Sequence, residues 1–220
     1  MNTAKIIAMT QPSIISRASL TAEEFVAYVA RVSNPTNQLN TETAPKLLKY
    51  LMKNKHWSPF EMVDIVMLVE TTRDIARQIL RHRSFSFQEF SQRYADPTED
   101  LGFVTRESRL QDTKNRQNSI QSDDETLNNQ WSAMQNVVKI ATLDAYKWAT
   151  DNGIAKEQAR AVLPEGLTVS RMYMKGSLRS WIHYTEVRLD DSTQKEHREV
   201  AQSALEELRK EFKFLNDFRS

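Results

Sequence analysis

The sequence predicts an α+β fold, mostly helical with a small, largely antiparallel sheet, and three observations predict it. Apolar residues recur at three- and four-residue spacing through several long stretches, the pattern of amphipathic helices. Two runs, Lys5 to Met9 and Met62 to Val69, are apolar or rich in β-branched residues and of strand length. No internal repeat, low-complexity segment or domain boundary interrupts the 220 residues, so 1–220 is read as one domain.

The elements follow in order. Lys5 to Met9 is expected as an edge strand. Thr21 stands at an N-cap with Glu24 three residues on, a capping box that opens a helix over Thr21 to Val32. Phe25, Val26, Val29 and Ala30 form its inner face, and Asn34-Pro35 ends it. Pro45 to Asn54 is a second helix with Leu47, Leu48, Leu51 and Met52 inward. His56 to Phe60 turns around Pro59 into the Met62 to Val69 strand. Arg73 to Arg83 is expected to be helical throughout, and Asp96-Pro97 closes that region.

Leu101 to Asp124 is polar; Phe103 and Val104 suggest a strand, and Arg109 to Ser122 a surface excursion. Asp124 to Thr150 reads as a long amphipathic helix whose buried stripe is Leu127, Trp131, Met134, Val138, Ala141 and Ala145. Glu157 to Val162 is a short helix stopped by Pro164, and Ser177 to Arg188 and Thr193 to Phe212 are the last helices. Trp131, Trp148 and Trp181 are expected in the core.

Composition removes whole classes of function. With no cysteine, disulfides, thiolate metal sites and cysteine nucleophiles are excluded. Net charge is +1, so no global field draws nucleic acid or an anionic membrane. No run approaches the roughly 20 apolar residues that span a bilayer, and Met1 to Thr10 is too short and polar for a secretory signal. The chain therefore reads as cytoplasmic. Its four glycines are far apart, so neither a dinucleotide turn nor a P-loop can be written. Any phosphate must be held by side chains. The four histidines are scattered, and no metal site is expected.

The densest chemistry lies between Gln78 and Tyr94. On a helix reaching Arg83, Arg73, Arg77 and Arg81 share one face at four-residue spacing. Glu89, Ser91 and Arg93 follow on a loop or extended stretch. Guanidinium forks suit phosphate through paired hydrogen bonds, and Gln or Glu beside them suits a base or ribose edge. Three readings stay open here: an ordinary solvated helix face with a few ion pairs, a ligand site, or a basic helical nucleic-acid-binding module that stacks bases on Phe85, Phe87 and Phe90. The polar run Arg109 to Asn118 is open likewise, between an interface or access segment and a solvated excursion.

Arg81-His82-Arg83, then seven residues, then Ser91 resembles the R-H-R-x7-S signature of flavin-dependent thymidylate synthases. The likeness extends to Gln78, Glu89 and Arg93-Tyr94. It recurs in His56-Trp57-Ser58-Pro59-Phe60-Glu61, in Arg160 to Pro164, in Arg179 to Tyr184 ending at Arg188, and in Gln194 and Glu196. In all it covers Lys5 to Leu208.

The resemblance implies conversion of dUMP to dTMP, with methylenetetrahydrofolate as one-carbon donor, FAD as hydride carrier and NADPH as reductant. It implies a homotetramer with active sites shared between subunits. Gln78, Arg81, Glu89, Ser91, Arg93 and Arg160 are then nucleotide ligands. His56, Ser58, Arg81, His82, Arg83, Glu89, Arg179 and His183 are flavin contacts, and Arg188 activates the uracil ring. The absence of cysteine agrees, because the other route to thymidylate attacks C6 with a thiolate.

Overall fold

A computed structural model describes residues 1–14 and 18–218. Four strands form one sheet in the order β1-β2-β6-β3: β1 (Thr3–Met9), β2 (Asp64–Thr72), β6 (Val169–Ser177) and β3 (Ser86–Glu89). All its pairings are antiparallel, with β2 and β6 in register from Asp64 opposite Ser177 to Thr72 opposite Val169. The expected edge strand is therefore β1, and the strand expected at Met62 to Val69 is β2, one of the two central strands.

The other central strand, β6, is the largest element that sequence reading missed. Its burial alternates cleanly, with Met172 and Met174 inward and Arg171, Tyr173 and Lys175 outward. Serine, methionine and glycine at the inward positions hide that alternation, since none of them favours strands.

Helices α1 (Ala22–Ala30), α2 (Ala44–Lys53), α3 (Arg73–Ile79), α7 (Leu178–Arg188) and α8 (Lys195–Glu211) contribute to one core against the sheet's inner face. Thr21 caps α1 as expected: its Oγ1 accepts from the Glu24 amide, and Glu24 accepts from the Thr21 amide at 2.8 Å. On β2, Ile65, Met67 and Val69 are fully buried and share one cluster with Val26, Leu48, Trp181 and Leu208.

Two expectations are corrected and a third is sharpened. First, α3 stops at Ile79 with Leu80 as its cap, so Arg81, His82 and Arg83 lie in the following turn. Arg73, Arg77 and Arg81 do not form one solvated face. Arg77 donates to Glu165 at 2.9 Å, and Arg73 reaches both Glu89 and Glu165.

Second, α5 (Glu125–Asp151) is long and amphipathic, but its inward face is Gln135, Thr142, Tyr146 and Ala149. The expected stripe is rotated from this by one residue, roughly 100°. Trp131, Met134 and Val138 are exposed, as is Trp148 at 63%. The polar Gln135 anchors the helix to the body, accepting from the Arg106 amide and donating to its carbonyl, both at 2.8 Å. Only Trp181 of the three tryptophans is core.

Third, the excursion at Arg109 to Ser122 is a hairpin, β4 (Arg109–Gln111) with β5 (Ser119–Gln121). Its tip is tied by Asp112, which accepts from the amides of Lys114 and Asn115. Two short helices, α4 (Pro97–Asp100) and α6 (Lys156–Ala159), complete the chain. Among the described residues no helix is long and apolar enough to cross a membrane.

One glycine is required by packing. A Cβ on Gly176 would stand 2.5 Å from Cδ1 of Phe85, whose ring lies over β6 and meets Trp181 at 4.8 Å. Gly176→Ala is expected to cost about 1–3 kcal/mol through overpacking. A urea titration checks this, and an unchanged midpoint would show that the ring has room to move.

Candidate active site

The site is built where two strands turn directly into helices. Thr72 ends β2 and opens α3; Ser177 ends β6 and caps α7, its Oγ accepting from the Ser180 amide. Serine at that position satisfies a helix-end amide and fixes where the helix begins.

Residues near this cap form the first group. Phe60 is buried against Phe214, which seats the 3₁₀ turn Ser58–Met62. Glu61 on that turn accepts from Ser177 Oγ at 2.5 Å and from Arg179 at 2.6 Å. Burial pushes the Glu61 carboxyl up, but these two bonds and the Arg179 charge outweigh it and hold it below its usual range.

Beside this pair opens a cleft of about 720 Å³ lined by Lys53, Lys55, Trp57, Ser84, Arg179 and His183. Lys55 sits there in the left-handed region, with φ 59°. Glycine would be the unstrained choice just after a helix, so the lysine is kept at some conformational cost. His56 and Ser58 are exposed on the same turn.

The second group gathers around Arg188. Its Nε donates to His82 Nε2 at 2.9 Å, so His82 carries its proton on Nδ1. The His82 ring stands edge-on to Tyr184 at 5.0 Å. Tyr184 OH lies 3.1 Å from His197 Nε2, and His197 Nδ1 lies 3.2 Å from Gln78 Oε1. Burial depresses His82 to about 4, with the Arg188 and His183 charges adding to it. Burial likewise depresses His197 to about 3, followed by Arg188 and His82. Burial pushes the Tyr184 phenol up, so it stays a donor.

A pH dependence follows. Unfolded, both imidazoles titrate near 6.5, while the folded chain takes up no proton on them until far lower pH. Stability is therefore complete above about pH 6.5 and falls as pH drops towards about 4, since the unfolded state binds more protons there. Urea midpoints across that range check it. His197→Asn is expected to flatten the slope.

The third group holds the nucleotide candidates beyond α3. Glu89 ends β3 and accepts from Ser170 Oγ at 2.7 Å and from Arg73 at 3.5 Å. Arg93 pairs with the Glu157 carboxylate at 3.2 Å, and Arg160 Nε donates to the Glu157 carbonyl at 3.2 Å. These two arginines, distant in sequence, thus meet at one residue. Ser91, two residues before Arg93, accepts from the Arg93 amide.

Gln78, His82 and Arg188 are thus brought into one cluster, and Arg179 and His183 into the neighbouring cleft. Among the described residues no hydrogen bond joins the Arg93–Arg160 pair to Arg188. Sequence reasoning left out His197, although a histidine among Val200, Ala201 and Ala204 on the apolar face of α8 was the available signal.

A flavin dinucleotide carries a planar ring system and a pyrophosphate, and the donor set fits it. Arg81 and Arg83 are exposed and have no carboxylate partner among the described residues. Arg179 and His183 are 51% and 69% exposed at the cleft. Exposed cationic side chains are thus available to a pyrophosphate where the scarce glycines offer no turn for it. Of the three phenylalanines on which the nucleic-acid reading would stack bases, Phe85 is buried against Trp181 and Tyr184, and Phe87 and Phe90 are half-buried. Among the described residues no cluster of metal-binding side chains occurs.

Comparison with known proteins shows the family. The family model described as "Thymidylate synthase complementing protein" matches residues 15–212. A flavin-dependent thymidylate synthase of Synechocystis sp. is 50% identical over 209 residues, 94% of each chain. A probable flavin-dependent thymidylate synthase of Paramecium bursaria Chlorella virus 1 is 46% identical, covering 95% of this chain and 94% of the other. Among solved structures, the UMP/dUMP methylase PolB from Streptomyces cacaoi bound with 5-Br UMP has a TM-score of 0.77 at 24% identity. That match covers 96% of this chain and 90% of PolB and shows a shared fold. By the family match and by identity along nearly its whole length, this chain belongs to the flavin-dependent thymidylate synthases.

Proposed function

We propose that the protein converts dUMP to dTMP, with methylenetetrahydrofolate as one-carbon donor and NADPH as the reductant of FAD. Bound FAD, once reduced, supplies the hydride of the reaction. Everything else falls to the residues of the chain.

The observation that carries the residue roles is the bond from Arg188 Nε to His82 Nε2. It aims a guanidinium whose two Nη groups have no partner among the described residues. Methylation at C5 needs negative charge on the uracil ring, delocalised towards O4 and N3. A guanidinium held at that edge stabilises the charge as it develops, and pre-aimed donors of this kind are usually the largest contribution to catalysis. His82 stays neutral, so it orients Arg188 without adding a competing positive charge.

Gln78, Arg81, Glu89, Ser91, Arg93 and Arg160 bind the nucleotide, with the arginines taking the phosphate. His56, Ser58, His82, Arg83, Arg179 and His183 meet the flavin, together with Arg81 and Glu89. The exposed apolar face of α5 supports a homotetramer with shared sites, because Trp131, Met134, Val137 and Trp148 are otherwise left in water. The working compartment is the cytoplasm.

Tritium at C5 of dUMP tests the reading. Release is expected only with FAD and a reductant present, and thymidylate only when methylenetetrahydrofolate is added. Thymidylate formed by flavin-free protein would reject the mechanism.

A further inference from the structure

We propose that His197 and Gln194 are positioning residues that lock the side-chain amide of Gln78 in one orientation, with the Glu196–Arg109 pair setting Gln194. The proposal rests on the reading of Gln78 as a nucleotide ligand.

A glutamine amide turned through 180° exchanges donor for acceptor while keeping its shape. A ligand reading such an amide therefore gains from having the turn prevented. Gln78 is held at both atoms. Its Nε2 donates to Gln194 Oε1 at 2.8 Å, and its Oε1 faces His197 Nδ1 at 3.2 Å.

Gln194 is itself prevented from turning, because its Nε2 donates to Glu196 Oε2 at 2.9 Å. Glu196 is pinned by Arg109 Nη2 at 2.6 Å, in a pair whose side chains are 10% and 13% exposed. Burial raises the Glu196 carboxyl, but the bonds from Arg109 and Gln194 outweigh it and keep it ionised, an acceptor only.

On the other side His197 is fully buried, and its Nε2 lies 3.1 Å from Tyr184 OH. With Gln78 Nε2 donating to Gln194, its Oε1 can only accept, so His197 Nδ1 carries the proton and the neutral ring's Nε2 accepts from the Tyr184 hydroxyl. Every bond in the series Arg109–Glu196–Gln194–Gln78–His197–Tyr184 then has one donor and one acceptor. Turning the Gln78 amide would set N–H against N–H at His197 and oxygen against oxygen at Gln194. Water cannot repair the mismatch around a buried histidine, and a buried unmatched donor is costly. Gln78 keeps one Nε2 hydrogen and one Oε1 lone pair, in fixed places, for the nucleotide.

The series also gives the Arg109 to Asn118 segment a part in the chemistry. Its first residue ties the β4–β5 hairpin to the α8 end that faces Gln78.

Equilibrium titration of the FAD-loaded protein with dUMP tests this, with the flavin spectrum recorded on each variant. Gln78→Ala is expected to weaken dUMP by about tenfold, the loss of one or two hydrogen bonds. His197→Leu and Gln194→Leu are each expected to weaken it by roughly three- to tenfold with flavin retained. Added to Gln78→Ala, either should change affinity less than about twofold, since the group they hold is gone. His197→Asn, which keeps a donor near Nδ1, should recover most of the affinity.

Parental dUMP affinity in both Gln194→Leu and His197→Leu would overturn the proposal, as would their full effects persisting on top of Gln78→Ala. Should His197→Leu fail to fold, Gln194→Leu at the half-exposed start of α8 decides alone. Unchanged affinity in Gln78→Ala would remove the ligand reading itself, a different failure.

Discussion

Arg188→Ala is expected to lower turnover by about 10²–10³-fold while flavin stays bound, the loss typical of one aimed donor at a developing charge. The reason is local. Arg188 sits in the last turn of α7, and its Nε bond to His82 leaves the outer guanidinium nitrogens without a partner among the described residues. Alanine removes those donors without opening the core, since Tyr184 and Trp181 fill the space behind them. Tritium exchange at C5 is the measurement that checks it. Arg188→Lys should recover little, because an ammonium lacks the Nε branch that His82 holds. Turnover close to that of the parent would strip Arg188 of its assigned role.

Trp181→Ala is expected to cost about 3–5 kcal/mol of stability, the usual range for emptying a large aromatic site. Trp181 is fully buried on α7, donates from Nε1 to the Ile65 carbonyl at 3.2 Å, and meets Phe85 and Tyr184 edge-on. Truncation leaves a cavity and removes one hydrogen bond to a carbonyl of a central strand. Chemical denaturation reads the loss. Trp181→Phe should retain more than half of the stability, since it keeps the ring packing and loses only the bond. A small loss in the alanine variant would mean that the core refills the space.

Both effects act on a fold whose local parts were easier to read than its pairings. The Thr21–Glu24 capping box, β1, β2, α7 and α8 are visible because each rests on neighbours in sequence: a cap, a period, a breaker. Strand β6 was not visible, because its inward residues are Ser170, Met172, Met174 and Gly176, and only the facing strands make them interior. Helix α5 was seen in full, but its face was misjudged. The rule that apolar residues turn inward presumes that one chain's interior is their only apolar destination.

The candidate site divides the same way. Arg81 to Arg93 stands out by composition, and Arg188 by resemblance. His197, Tyr184 and the Glu196–Arg109 pair do not, because their part is defined by contacts across the whole length of the chain. Glu61 shows the middle case: its motif was noted, but not its bond to Arg179.

The β2–β6 ladder has a kinetic consequence. It joins Asp64 to Ser177 and Thr72 to Val169, so the turn after α3, the hairpin and α5 all lie within the loop it closes. Closing so long a loop is entropically unfavourable and is repaid only when the ladder forms, which slows folding. His82 lies inside that loop and Arg188 just beyond its far end. Helices that form early in refolding therefore hold only separate halves of a site, and nucleotide recognition begins with the last long-range pairing.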